Sequence, residues 1–188
     1  MLIIYAHPNH DGHCGYILQE IEKVFKARHK KYQVWDLYQM DYDPILKNSE
    51  LYTQGKRKVG EKNQALQKII ASEKEFIYIY PTWWNSPPAI LKGFLDRVFT
   101  SHFAFTWEGN IPVGLLKGKA LVITTTGGPV LYEKWVAGDR SLKIVANDTL
   151  KFCGFKTKTV MVGNARKFTD ENKRIIEQKI KPAVEFFR

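Results

Sequence analysis

Apolar positions along this chain switch repeatedly between two periods. Short runs rich in β-formers stand at Leu2–Ala6, Tyr32–Asp36, Phe76–Tyr80, Lys119–Thr126 and Thr157–Val162. Runs of this length with little polar alternation predict strands covered on both faces. Between them apolar residues recur at helical spacing: Ile17, Leu18, Ile21, Val24 and Phe25; Leu66, Ile69 and Ile70; Ile90, Leu91, Phe94, Leu95 and Val98; a stretch around Leu142 to Phe152; and Asp170 to Phe187, with Ile175, Ile176, Ile180, Val184 and Phe187. Punctuation agrees with that division. Pro81 ends the third strand, and Pro87 and Pro88 suit the first turn of a helix, where a missing N–H costs nothing. Gly55 to Gly60 interrupts a long polar connection before the second helix, Gly154 closes the helix before the fifth strand, and Thr169 can cap the last one.

Five strands alternating with helices predict an α/β fold, a doubly wound five-stranded parallel sheet in the order 2-1-3-4-5. The pattern contains no linker, repeat or low-complexity segment, so residues 1–188 read as a single domain. In that strand order the loops after strands one, three and four meet at one sheet edge. They are His7–Gly15, Pro81–Asn85 and Thr125–Tyr132, and ligands of open α/β sheets bind at this edge.

Composition narrows the picture only a little. The chain has 188 residues, 44% hydrophobic and 26% charged, as a globular domain does. Leu2–Ala6 is too short for a secretion signal and no run approaches a membrane span, which predicts a soluble, cytoplasmic protein. Cys14 and Cys153 lie far apart in no metal-binding spacing, so they read as reduced thiols and no metal site is expected. The net charge of +10 suits nucleic acid, an anionic membrane or a phosphorylated small molecule. Its densest runs, Lys26 to Lys31 and Lys56 to Lys58, carry no nucleic-acid module, and no nucleic-acid partner is expected.

Each of the three loops has its own chemistry. The first sets His7, His10 and His13 with Asp11, Gly12, Cys14 and Gly15 just before a helix, whose free N–H groups favour a phosphate; an ordinary polar turn has the same composition. The second holds Thr82, Trp83, Trp84 and Asn85, two large aromatics beside polar groups, suited to a flat ligand. In the third, Thr125, Thr126, Gly127 and Gly128 offer hydroxyls and approachable amides, with Tyr132 following; a plain glycine turn is the alternative. Together they fit a planar cofactor with a phosphorylated tail, as a flavin nucleotide is.

The segments Ala6-His7-Pro8-Asn9, Pro81 through Phe99 and Thr125-Thr126-Gly127-Gly128-Pro129 resemble, in order and position, the flavodoxin-like NAD(P)H:quinone oxidoreductases, a group that includes ancillary flavoproteins of bacterial potassium-efflux systems. The resemblance extends over nearly the whole chain. It implies a flavodoxin-like homodimer with FMN or FAD at each active site. His7, Asp11, Gly12, His13 and Cys14 would lie on the phosphate side, Pro81, Thr82, Trp83 and Trp84 against the ring, and Thr125, Thr126, Gly127, Gly128 and Tyr132 at its polar edge. Two positions depart from the family: Gly12 stands where serine is usual, and Cys14 where asparagine is common. A tyrosine–histidine pair used by the mammalian members is matched only by Tyr132, and the lack of their C-terminal extension favours FMN.

The activity so implied is a ping-pong hydride transfer from NAD(P)H to a quinone or similar acceptor. Tyr132 would stabilise the reduced ring, and Phe103, Phe105 and Trp107 would wall the substrate pocket, partly across the dimer. One alternative is a regulatory flavoprotein subunit with a membrane transporter as partner. A flavodoxin-type electron carrier is another.

Overall fold

A computed structural model describes residues 1–51 and 58–188. Gly55 and the Lys56–Arg57 part of the second basic run therefore lie outside the described residues.

The main sheet has five parallel strands: β1 (Leu2–Tyr5), β2 (Gln33–Asp36), β3 (Glu75–Pro81), β6 (Gly118–Thr125) and β7 (Phe155–Val162), ordered β2-β1-β3-β6-β7. Counted within that sheet alone, the order is the expected 2-1-3-4-5. The extra numbers belong to a separate antiparallel hairpin, β4 (Phe105–Glu108) and β5 (Ile111–Gly114), inside the insertion before β6.

Side chains of a strand alternate between faces, and here both faces are buried. Leu2, Ile4, Phe76, Tyr78, Tyr80, Ala120 and Val122 point into one core, while Ile3, Tyr5, Ile77, Ile79, Leu121 and Ile123 point into the other. The second core is closed by α1 (His13–Ala27) and α6 (Asp170–Val184) through Ile17, Ile21, Ile176 and Ile180. Helices α2 (Glu61–Ser72) and α3 (Ala89–Val98) cover the first, through Leu66, Ile70, Leu91, Phe94 and Leu95.

Several boundaries differ from the sequence reading. Pro88 is the N-cap of α3 in extended backbone, so both prolines precede the helix rather than sit in its first turn. A short helix, α4 (Val130–Trp135), follows the Gly-Gly loop, where four of its six residues are too exposed to carry a core periodicity. The stretch around Leu142 to Phe152 starts earlier, as α5 (Arg140–Leu142), and continues as a π-helix over Lys143–Lys151. Gly154 ends that segment at φ +107, and a Cβ there would stand 2.2 Å from the Leu116 carbonyl oxygen. Thr169 caps α6: Asn172 N–H donates to its hydroxyl at 3.3 Å, and its own N–H donates to Asn172 Oδ1 at 3.0 Å.

Candidate active site

At the carboxyl edge of the sheet, between the ends of β1, β3 and β6, lies a cavity of ≈ 320 Å³. Its walls hold most of the residues singled out above. His7, Gly12, His13 and Cys14 come from the first loop, Pro81, Thr82 and Trp83 from the second, and Thr125, Thr126 and Gly127 from the third. A wider depression of ≈ 870 Å³ runs along α2 to Phe103, but Lys58, Gln64, Gln67 and Lys68 give it no convergent polar set.

The first wall is the amino end of α1. Gly12 is its N-cap in extended backbone, no side chain caps the helix, and no acidic residue stands in its first turn. The exposed end of the helix dipole therefore faces the cavity without an internal counter-charge. His13, the first residue of α1, is buried edge-on against Phe168, and its Nε2 has no hydrogen-bond partner. Burial pushes its affinity for a proton below the ordinary histidine value, and nearby His7 acts in the same direction. Cys14 is buried beside Thr125, with Sγ 3.6 Å from the hydroxyl oxygen. Burial raises its thiol to about 12, so it is a neutral lining group at pH 7.

The histidines do not act together. His10 turns away from the cavity, stacks on Tyr5 and sets its Nε2 2.6 Å from Asp36 Oδ2. His7 stays with the loop, its Nδ1 within bonding distance of the Asn9 main chain and its ring 5.9 Å from that of Trp83. Among the described residues no group of three or more His, Cys, Asp or Glu could hold a metal.

The second wall is a tight turn. Trp83 and Ser86 exchange two main-chain hydrogen bonds of 3.0 Å, with Trp84 at φ +49 and Asn85 at φ +57. Trp83 is 43% exposed over the cavity, whereas Trp84 is fully exposed and outside it. Asn85 Nδ2 donates to the Ala137 carbonyl at 3.0 Å and ties this turn to the end of α4.

The third wall is fixed from two sides. Thr82 N–H donates to the Thr125 carbonyl at 2.7 Å, and Thr126 N–H to that of Val162 at 2.9 Å. Thr126 gives its hydroxyl to Glu133 Oε1 at 2.6 Å. Gly128 and Tyr132 lie just beyond the lining, Tyr132 about half exposed, and Asp11 also lies outside it. Phe103 and Phe105 pack on the chain's own core, Phe105 edge-on to Phe152, and Trp107 stands half exposed on β4; none of the three reaches this cavity.

A fourth loop, absent from the sequence reading, completes the site. Ala165 lines the cavity and its N–H donates to the Thr126 carbonyl at 2.9 Å; Asn164 N–H donates to that of Gly128 at 2.8 Å. Arg166 lies over Gly127, its Cγ 3.5 Å from where a Cβ would be. The signal was available, because every parallel strand ends at this edge, so the loop after the last strand belonged to the set. Glu133 was missed for another reason: α4 has no periodicity to mark it.

The residues present suit a phosphorylated planar group. An uncapped helix end, a buried imidazole nitrogen without a partner, an indole and the approachable main chain of Gly127 line one cavity.

Comparison with known proteins bears on the fold and the family. Residues 1–186 match a family described as having a flavodoxin-like fold. An uncharacterised NAD(P)H oxidoreductase of Haemophilus influenzae is 35% identical over 158 residues, covering 82% of this chain and 78% of its own. Human ribosyldihydronicotinamide dehydrogenase [quinone] is 32% identical over 196 residues, covering 93% of this chain and 85% of its own. Among solved structures, an FMN-dependent NADH-azoreductase of Bacillus anthracis in complex with FMN superposes with a TM-score of 0.82 over 98% of this chain and 97% of its own; at 20% identity the likeness is one of fold.

Proposed function

The chain belongs to the flavodoxin-like NAD(P)H:quinone oxidoreductases and is an oxidoreductase, and on that premise we propose that it binds FMN in the cavity at the strand ends and passes hydride from NAD(P)H to a quinone or a related acceptor. The observation that carries the reading is the pairing of an uncapped α1 terminus with the unpartnered Nε2 of buried His13, in a cavity that Gly127 also lines. Bound FMN supplies a two-electron relay between a nicotinamide and an acceptor, which this chain's own side chains cannot provide.

The protein's part is positioning and electrostatics. His7, His13 and the first N–H groups of α1 would hold the anionic tail, Trp83 would pack on the ring, and the third loop would offer donors for the charge it gains on reduction. With one cavity among these loops to serve both, donor and acceptor would enter in turn, which is a ping-pong reaction. The FMN-bound azoreductase of the same fold favours FMN over FAD.

A homodimer is part of the proposal. Leu131, Trp135 and Val136 of α4 are 70%, 83% and 68% exposed, and Asn85 joins the Trp84 turn to them. An apolar surface of that kind beside a cavity calls for cover. Two buried free thiols and a nicotinamide donor suit the cytoplasm, and no helix of the described residues is long and apolar enough to cross a membrane. The relatives are named as oxidoreductases, which gives no support to a transporter subunit.

The test is direct. Cofactor released from the purified protein is identified by mass, and turnover is measured with NADH or NADPH and menadione; light scattering gives the oligomeric state. FMN, nicotinamide-dependent turnover and a dimer are expected. Protein that neither contains nor takes up a flavin would overturn the reading.

A further inference from the structure

We propose that His13 takes up a proton from solvent when the phosphate of the ligand enters the α1 end of the cavity, so that binding here is linked to pH through one imidazole. The phosphate is assigned from the flavin reading above; the proton linkage is a property of this chain's own residues.

The geometry carries it. His13 is nine-tenths buried, it lines the cavity, and its Nε2 has no partner. A buried polar atom left unpaired in a folded protein calls for a partner, and a ligand atom in the adjoining cavity would be one. The ring stands at the first position of a 15-residue helix with an uncapped, non-acidic start, where an anion is already favoured. With the cavity open, burial holds the ring's proton affinity below the ordinary histidine value; a hydrogen bond with the Asn172 side chain pulls the other way, His7 reinforces the effect of burial, and the Lys167 main chain opposes it.

Charged groups on the surrounding elements do not satisfy the imidazole. Asp36 is held by His10, Glu133 accepts from Thr126, Asp170 is paired with Lys173 and Glu177 accepts from Tyr16. Asp11, on the same loop, lies outside the lining. The basic residues His7, Arg166, Lys167 and Lys173 stand on the first loop, the loop after β7 and α6, and of these the charge of His7 works against a proton on His13. A phosphate within bonding distance of Nε2 reverses that balance.

The sign follows. A group whose proton affinity rises on binding makes the complex tighter at low pH, and affinity falls as pH rises through the value in the complex. A phosphate monoester gains its second charge near pH 6, which strengthens binding with rising pH, so the two effects oppose each other. The His13 contribution is therefore read as a difference between wild type and variant.

Calorimetric titration of flavin-stripped protein in two buffers of different ionisation enthalpy counts the protons. FMN, riboflavin and orthophosphate are the probes, and wild type is compared with His13→Gln. With FMN near pH 7, wild type should take up about half a proton more than the variant, and between pH 6 and 8 its affinity should fall by up to ~10-fold relative to the variant's, as a one-unit change in proton affinity requires. Riboflavin, without a phosphate, should give no difference. Equal proton counts and equal slopes in the two proteins would overturn the proposal. Should His13→Gln fail to fold, the wild-type imidazole titration followed by NMR decides: its midpoint moves up on adding FMN, or the proposal falls. Binding of orthophosphate with His13-dependent uptake, but no binding of FMN, would overturn the flavin reading and leave the proton linkage standing. Binding of neither anion overturns both.

Discussion

The main-chain carbonyl oxygen of His10 lies 1.8 Å from the point that a Cβ on Gly15 would occupy. The first loop thus closes directly on the first turn of α1, and the position of the anion-facing N–H groups depends on a residue without a side chain. Inside an ordinary helix, alanine in place of glycine gains ~1 kcal/mol. Here Gly15→Ala is expected to lose ~2 kcal/mol, because main chain cannot move aside as a side chain can. Denaturant unfolding measures the loss, and FMN affinity should fall with it. A stabilised variant would mean that the loop relaxes freely.

Gly12 is expected to behave in the opposite way. It holds an extended N-cap conformation with nothing within 4 Å of a would-be Cβ. Gly12→Ser therefore adds a capping hydroxyl without a clash and should raise stability by ~0.5 kcal/mol. Thermal unfolding without flavin checks this, and an unchanged or lower midpoint counts against it.

The legible part of this protein was the part set by period and punctuation. Runs such as Ile77 to Tyr80 had to be two-faced strands, and the doubly wound order then brought His7, Thr82 and Thr126 to one edge. The illegible part depended on main-chain geometry. Nothing in Trp83-Trp84-Asn85-Ser86 signals a turn with two residues at positive φ, for which Asn-Gly is the usual pair. The hairpin from Phe105 to Gly114 escaped because its strands are four residues long and largely exposed. The turning of His10 onto Asp36, away from His7 and His13, was not legible either, because it depends on how the loop folds back over β2.

Trp84 carries that turn at a conformational cost. A fully exposed indole at φ +49 makes no core contact to repay it, whereas asparagine tolerates this region. Trp84→Asn is expected to raise stability by ~0.5–1 kcal/mol. FMN affinity should fall ~3–10-fold if the indole folds over the ring, by the energy of one aromatic contact. A variant both less stable and unchanged in FMN affinity would make Trp84 a structural residue.

A second clasp sits away from the site. Arg97 at the end of α3 forks onto both oxygens of Glu50, each bond 2.9 Å, and fixes the segment before the undescribed residues. Burial alone would raise the Glu50 carboxyl, but Arg97 and the Lys47 N–H outweigh it and hold the group below its ordinary value. A carboxyl depressed in the folded state stabilises above its unfolded value, and that contribution disappears as pH falls through the folded one. Glu50→Gln is expected to cost ~1–2 kcal/mol at pH 7, between exposed and fully buried pairs. The gap to wild type should narrow as pH falls below the ordinary glutamate value and close only below the depressed value of the folded state. A gap independent of pH would assign the loss to packing.

Tyr132 is the residue on which the proposed chemistry depends most. It lies on α4 beside Gly128, its ring 3.8 Å from where a Cβ on that glycine would be, and about half of its surface is exposed. No histidine follows it to share a charge, and the nearest acid, Glu133, is already engaged by Thr126. A carboxylate so close to the third loop works against negative charge on a reduced ring, so donors there matter more. Tyr132→Phe keeps the ring and removes one donor. If that donor engages only as charge develops, flavin affinity stays within about twofold while reduction by NAD(P)H slows ~10-fold, below the 10²–10³ typical of a well-buried donor. Stopped-flow absorbance of the bound flavin measures the step directly. Glu133→Gln gives the matching arm: removing the opposing charge should speed reduction or raise the flavin potential. If Tyr132→Phe leaves the rate unchanged while Glu133→Gln alters it, the electrostatics of this edge belong to the Thr126–Glu133 pair and the main-chain amides alone.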